Sequence, residues 1–272
     1  MPNTPDPFTP NASGQYPRLA SLYEKAKKDF WNESTEVDWS LEITLPEDKR
    51  RALAQLLSIT YYGERAAVTI SAQLVASVQD EDARRALACQ VIEETKHVAA
   101  FERLLGKLDR IYPPSFFARR LLNDLIATED PAAKMVGMHL FVENIANQTF
   151  QMLREPIDDP LVSSVLEYIA RDERKHTAIA VLYLPALLEE LSAAQAARLQ
   201  MKQLKWLSLG IGMVKDGYAQ ARALDVDLAA AGQKALRHHY RLRDQMASKR
   251  GLLDIPGFDK AIDVIGRWAT PR

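Results

Sequence analysis

Leu166-Glu-Tyr-Ile-Ala-Arg-Asp-Glu-Arg-Lys-His-Thr-Ala178 is the stretch from which the fold can be read. It contains no Gly or Pro, and Glu173 and His176 stand three residues apart. On a helix that spacing turns both side chains to one face, where a carboxylate and an imidazole can hold one metal ion. The arrangement recurs upstream in Gln90-Val-Ile-Glu-Glu-Thr-Lys-His97, with Glu94 and His97. Of five histidines in the chain, two therefore carry a Glu three residues before them.

The meaning of the repeat depends on where it falls between turns. Pro46-Glu-Asp48 is a helix start, with acids at the positive end of the helix dipole. It predicts a helix over 46–77 carrying Glu64, a break near residue 80, and a second helix over 82–108 carrying Glu94 and His97. Tyr112-Pro-Pro114 stops the second helix, and a shorter one occupies 115–128. A helix over 131–154 carries Glu143, the Pro-rich turn near 158 breaks it, and a helix over 161–191 carries Glu173 and His176, with a kink expected at Pro185. Further helices are predicted over 18–30, 193–223, 226–248 and 257–267. No stretch alternates β-branched residues with period two, so the fold class is all-α.

Counting outward from the turns gives the decisive pattern. Glu64 and Glu94 lie about 16 and 14 residues from the first break, and Glu143 and Glu173 each about 15 from the second; at ~1.5 Å per residue all four stand ~22 Å from their turns. Two hairpins packed side by side bring four Glu and two His to one height. A Glu from each of two helices plus Glu-x-x-His from each of the other two is the set with which a four-helix bundle holds two iron or manganese ions. Glu64 and Glu143 also sit in bulky apolar surroundings, Ile59-Thr-Tyr-Tyr-Gly-Glu-Arg-Ala-Ala-Val68 and Gly137-Met-His-Leu-Phe-Val-Glu-Asn-Ile-Ala146. A buried carboxylate there needs a partner.

Composition bounds the rest. With 47% hydrophobic and 26% charged residues, 272 residues suffice for a large core, and no apolar run is long enough to span a bilayer. A net charge of −1 counts against a nucleic-acid-binding surface over the whole molecule, and Arg237-His-His-Tyr-Arg-Leu-Arg243 is expected to be a solvated helix face. The single Cys89 excludes an internal disulfide and, with no secretory leader, leads to an expected cytoplasmic location. Residues 1–17, with five Pro, are expected to form a flexible tail before one domain over 18–272: a metal-binding core at about 46–191 and extra C-terminal helices over 193–267.

With these residues in place the chain resembles the ferritin-like dimetal-carboxylate superfamily, in particular the branch of the ribonucleotide reductase small subunit. Asp29-Phe-Trp31-Asn-Glu-Ser-Thr-Glu-Val-Asp-Trp-Ser40 looks like the Phe-Trp segment ahead of that family's first core helix, and Asp172 matches the Asp that bonds a metal-ligating His. The resemblance implies a ferritin-like four-helix bundle with flanking helices, an electron path through Trp31, Asp172 and His97, and a homodimer. Departures accompany it. Phe101 stands where most reductase small subunits carry a radical Tyr, which counts against a reductase role. Ala67 and Met138 stand where related ligand-binding oxidases form a Tyr–Val crosslink, and Ile169 where aryl-amine N-oxygenases place a third His.

The expected activity is that of an oxidase or oxygenase that uses two iron ions, or Mn and Fe, to reduce O2 and oxidise a small, partly apolar organic substrate. The metal ligands are Glu64, Glu94, His97, Glu143, Glu173 and His176. Electrons come from a redox partner protein or from the substrate. His139, four residues before Glu143, is a candidate further ligand or proton carrier, and Tyr61 and Tyr62 are oxidisable neighbours of Glu64. Gln90, Asn147 and Thr177 are placed to bond an oxygen species. The alternatives are a radical-generating subunit, an iron store, and a helical interaction protein without metal.

Overall fold

The computed structural model describes residues 14–153, 156–246 and 250–255, together with positions 8, 257, 259, 260 and 263. Most of the expected N-terminal tail and most of the expected helix over 257–267 lie outside the described residues. Among the described residues the chain is helical, with no strand.

Helix α1 (Pro17–Lys28) leads into a loop whose Trp31, Val37 and Trp39 are buried against the body. The long helices follow: α2 (Glu47–Ser77) and α3 (Glu81–Leu108), then short α4 (Phe116–Ile126). Their limits are set by local chemistry. Asp80 accepts from the Ala83 N–H at 2.8 Å and Ser115 from the Ala118 N–H at 3.3 Å, each meeting an N–H the first turn leaves unpaired. Asp130 does the same for α5 (Pro131–Met135), and Asp159 caps α7 (Pro160–Glu189) through the N–H groups of Leu161 and Val162. The other oxygen of Asp159 accepts from the N–H and hydroxyl of Thr44, pinning the loop before α2 to the start of α7. Pro185 lies inside α7, which continues through it. Helix α8 (Ala193–Ala223) opens with a reciprocal Ser192–Gln195 capping box. Helix α9 (Leu228–Gln245) and a 3-10 turn (Arg250–Leu253) follow.

One expected helix differs. In place of a regular helix over 131–154, α5 passes into a π-helical segment, Val136–Val142, before α6 (Glu143–Leu153). The segment presses closely on its neighbours: a Cβ on Gly137 would stand 2.2 Å from Leu125 Cδ2 and 3.0 Å from the Trp206 ring. Only Gly allows that approach.

Helices α2, α3, α6 and α7 form the central bundle; α1 lies on α3 and α7, α8 crosses α2 and α4, and α9 covers α6. The apolar interior is split in two. One core gathers Ile70, Leu74, Leu87, Met138 and Leu184, at the turn of the α2–α3 hairpin and the open end of the second hairpin, and the other gathers Leu53, Leu57, Phe101, Phe150 and Ile169, at the opposite end. Along every bundle helix the boundary between the two falls at the level of the four glutamates. No described helix is long and apolar enough to cross a membrane. In the basic stretch of α9, His239 is buried against the Leu253 carbonyl and Arg243 pairs with Asp244 and Asp254.

Candidate metal centre

The slab between the two apolar cores holds all six residues singled out by spacing. Glu64, Glu94, His97 and Glu173 bring ligand atoms within 4.8 Å of one another, and so do Glu94, Glu143, Glu173 and His176. The two groups share Glu94 and Glu173. Glu64 and His97 belong to the first group alone, and Glu143 and His176 to the second alone. All six are almost wholly buried.

The hydrogen-bond pattern tests whether this cluster fits cations. His97 Nε2 faces Asp172 at 3.3 Å and His176 Nε2 faces Glu93 at 2.9 Å, so each imidazole donates outward. The inner nitrogens then present lone pairs to carboxylate oxygens. His97 Nδ1 is 3.2, 3.4 and 3.3 Å from Glu64, Glu94 and Glu173, and His176 Nδ1 is 3.2, 3.7 and 3.4 Å from Glu94, Glu143 and Glu173. Acceptors facing acceptors in a dry interior repel unless a positive charge lies between them. Three of these atoms, Glu94 Oε2, Glu173 Oε2 and His176 Nδ1, have no hydrogen-bond partner. The donor set, hard carboxylates with neutral imidazoles, suits iron and manganese.

In the metal-free cluster protons take the place of that charge. Burial raises the Glu94 carboxyl to about 8. For His176, burial disfavours the imidazolium, but Glu94 and Glu173 outweigh it and lift the group to about 10. His97 is raised well above its ordinary value in the same way, against burial, by Asp172, Glu173, Glu64 and Glu94. Burial pushes Glu173 up as well, yet the two imidazoles bring it down to about 2.

The remaining predicted residues fall into place around the cluster. Asp172 Oδ2 accepts from Trp31 Nε1 at 2.6 Å, and the Trp31 and His97 ring centroids are 6.3 Å apart, so Trp31, Asp172 and His97 form a continuous chain. His139 is not among the clustered ligand atoms. The i→i+5 pattern of the π segment shifts the register by which a residue four places before Glu143 would share its face. His139 stands between two carbonyls, its Nε2 3.1 Å from that of Gln90 and its Nδ1 3.2 Å from that of Met135, while Gln90 Nε2 donates to both Glu94 and Glu143 at 2.9 Å. Burial, and then His176, lower His139 to about 4, so it is neutral, with one N–H for the two carbonyls it faces. Tyr61 is buried but turned away, donating to Glu102 at 2.8 Å, and Tyr62 packs edge-on against it. Thr177 lines a separate cavity with Arg18 and Arg174. Phe101 stacks on Phe150 with no exposure.

Sequence reading missed Glu93, Lys96 and Lys175. The signal was present: both motifs read acid-Glu-x-Lys-His, as Glu93-Glu-Thr-Lys-His97 and Asp172-Glu-Arg-Lys-His176. The acid and the Lys stand three apart, on the flank of the ligand face, and the two flanks meet where α3 packs on α7. Each acid thereby reaches the His of the other motif.

The cluster has two faces. The His side is sealed by Trp31, Asp172, Glu93 and the two lysines. On the other side all four glutamates border a cavity of about 130 Å³ walled by Leu56, Ala67, Met138, Val142, Ile145 and Met213, among other apolar residues. Apart from the four glutamates, that wall contains no charged residue.

No protein-family model and no curated protein matches the chain. Among solved structures it is similar to a Synechococcus protein with aldehyde deformylating oxidase activity, with TM-score 0.64 and 18% identity over 77% of this chain and 97% of that one. The R2-like ligand-binding oxidase of Sulfolobus acidocaldarius gives TM-score 0.63 and 18% identity over 87% of this chain and 94% of that one. An R2-like ligand-binding oxidase with a reconstituted Mn/Fe cofactor gives TM-score 0.52 and 15% identity over 93% and 92%. At these identities the likeness shows the fold, a ferritin-like helical bundle. The site described above has the residue types for a metal pair at its centre.

Proposed function

We propose that the protein is an oxygen-activating dimetal oxidase or oxygenase acting on a small, largely apolar organic substrate. The observation that carries the reading is the pair of four-residue clusters sharing Glu94 and Glu173, with acceptor atoms turned on one another in a dry interior. Glu64, Glu94 and Glu173 with His97, and Glu94, Glu143 and Glu173 with His176, would hold two iron ions, or one manganese and one iron. When bound, that pair supplies the electrons and Lewis acidity for reducing O2.

The chain's own residues do the rest. The cavity opens only onto the carboxylate face, so a substrate meets the centre opposite the histidines. Its apolar wall selects an uncharged, compact body by desolvation and excludes water from the reacting atoms. On the sealed face, Asp172 and Glu93 fix the imidazole tautomers by accepting from Nε2, leaving Nδ1 for metal. Trp31 connects the loop after α1 to His97 through Asp172, a route for electrons from a redox partner protein. Phe101, which cannot form a tyrosyl radical, favours this reading over a radical-generating subunit.

The test is metal content, with optical and Mössbauer spectra recorded before and after O2 is added to anaerobically loaded protein. Two metals per chain with an O2-dependent spectral change is the expected result. No uptake, or one zinc with no response to O2, would overturn the reading.

A further inference from the structure

The two acids behind the histidines are alike in sequence but differ in their support. Asp172 Oδ2 receives Trp31 Nε1 at 2.6 Å, Lys96 Nζ at 3.2 Å and His97 Nε2 at 3.3 Å, and its Oδ1 faces Lys175 Nζ at 2.9 Å. Glu93 has two partners among the described residues: His176 Nε2 on one oxygen at 2.9 Å, and Lys175 Nζ on the other. Lys175 thus touches both acids, and among the described residues it is the one Lys or Arg in direct contact with Glu93, while Lys96 acts on Glu93 from beyond ion-pair distance. All four charged side chains are almost wholly buried, where an acid stripped of its counter-charge is costly.

We propose that Lys175 is a positioning residue that joins the two half-sites of the metal centre and alone holds the acid behind His176. The proposal rests on the dimetal reading above. Its physical content is an asymmetry. Removing Lys96 leaves Asp172 with Trp31 and Lys175 and leaves both direct contacts of Glu93, to Lys175 and His176, in place. Removing Lys175 leaves Glu93 without a fixed position, so that the tautomer and direction of His176 are no longer held, while Asp172 keeps Trp31 and Lys96. The Glu143–His176 end of the centre then weakens selectively, and the Glu64–His97 end survives.

The experiment is anaerobic Mn(II) titration of the full chain, followed by equilibrium binding and by EPR, in which two neighbouring Mn(II) ions give a coupled signal and a lone ion an uncoupled one. Wild type is expected to take up two ions with a coupled signal. Lys175→Met is expected to bind one ion as wild type does and the second about 10- to 100-fold more weakly, the usual effect of removing a group that orients a metal ligand. Its EPR is uncoupled at intermediate Mn(II). Lys96→Met stays within a few-fold of wild type for both ions, and Lys175→Arg, which keeps the charge, retains coupled binding. Assignment to one end comes from a cycle: Lys175→Met adds nothing to His176→Ala but lowers the affinity of His97→Ala further. A variant that merely unfolds loses both ions together, which thermal melts of the metal-free proteins register separately. Coupled two-ion binding by Lys175→Met at wild-type affinity, or equal losses in Lys96→Met and Lys175→Met, would overturn the proposal while the dimetal reading stands. Failure of wild type itself to bind two ions overturns both.

Discussion

The α2–α3 hairpin and the hairpin formed by α5, the π segment, α6 and α7 contribute the same things to the centre by different backbones. Each supplies one carboxylate shared by both clusters, one carboxylate that belongs to a single cluster, and one His. In the first, Glu64 sits inside an unbroken 31-residue helix. In the second, Glu143 is the first residue after a π segment. The comparison teaches that the height of a ligand depends only on the helix between it and its turn. The irregular backbone lies on the far side of Glu143 from that turn, so the count of residues remains valid. What the π segment changes is direction: it moves His139 off the Glu143 face and onto Gln90.

If the hairpins are equivalent as ligand donors, substitutions should sort by role and not by hairpin. The largest effects are expected for Glu94→Ala and Glu173→Ala, one from each hairpin, since both clusters share these residues; elemental analysis of anaerobically loaded protein should find neither ion retained. Glu64→Ala and Glu143→Ala should each retain one ion. A variant of a shared residue that keeps one ion, or a variant of a single-cluster residue that loses both, would break the equivalence.

A second expected effect is in pH dependence. Glu94 at about 8 and His176 at about 10 both bind protons more tightly folded than unfolded. Their contribution to the metal-free fold is therefore complete below their ordinary values and is lost as pH rises through about 8 and then about 10. Chemical denaturation of metal-free protein should show stability falling across that window. Metal-loaded protein should not show the fall, because ions have replaced the protons, and loading near neutral pH should release about three protons per chain into a weak buffer.

The glycines sharpen the contrast between backbones. Gly137→Ala forces a methyl against Leu125 and the Trp206 ring and should destabilise the protein by about 1–3 kcal/mol. Gly63→Ala, on the regular helix, meets only Val142 Cγ1 at 3.8 Å and should stabilise it by up to about 1 kcal/mol. Denaturant titration measures both. The smallest effect is expected at Tyr61→Phe, which removes one bond to Glu102, costs about 1 kcal/mol, and leaves metal content unchanged.

Most of the bundle was legible in the chain because its signals are local. Asp80, Asp130 and Asp159 cap helices whose starts their chemistry announces, and the Glu-x-x-His pairs share a face wherever a helix forms. Spacing alone did not decide where His139 and Tyr61 turn their polar atoms. His139 lies in a π segment and faces Gln90. For Tyr61, three residues from Glu64, a partner on α3 drew the hydroxyl away. Glu93, Lys96 and Lys175 were visible as residues but not as a network, since each pairs with the other motif and not with its own neighbours.

The sequence by itself determined the helices, their breaks, and the height at which four carboxylates and two imidazoles stand, because rise per residue and capping are properties of short stretches. Tertiary structure alone decided which acid lies behind which His, which face of the cluster opens to the cavity, and where the π segment turns its side chains. Those outcomes depend on how α3, α6, α7 and α8 pack, and packing is a relation between residues 53 to 141 positions apart that no local pattern encodes.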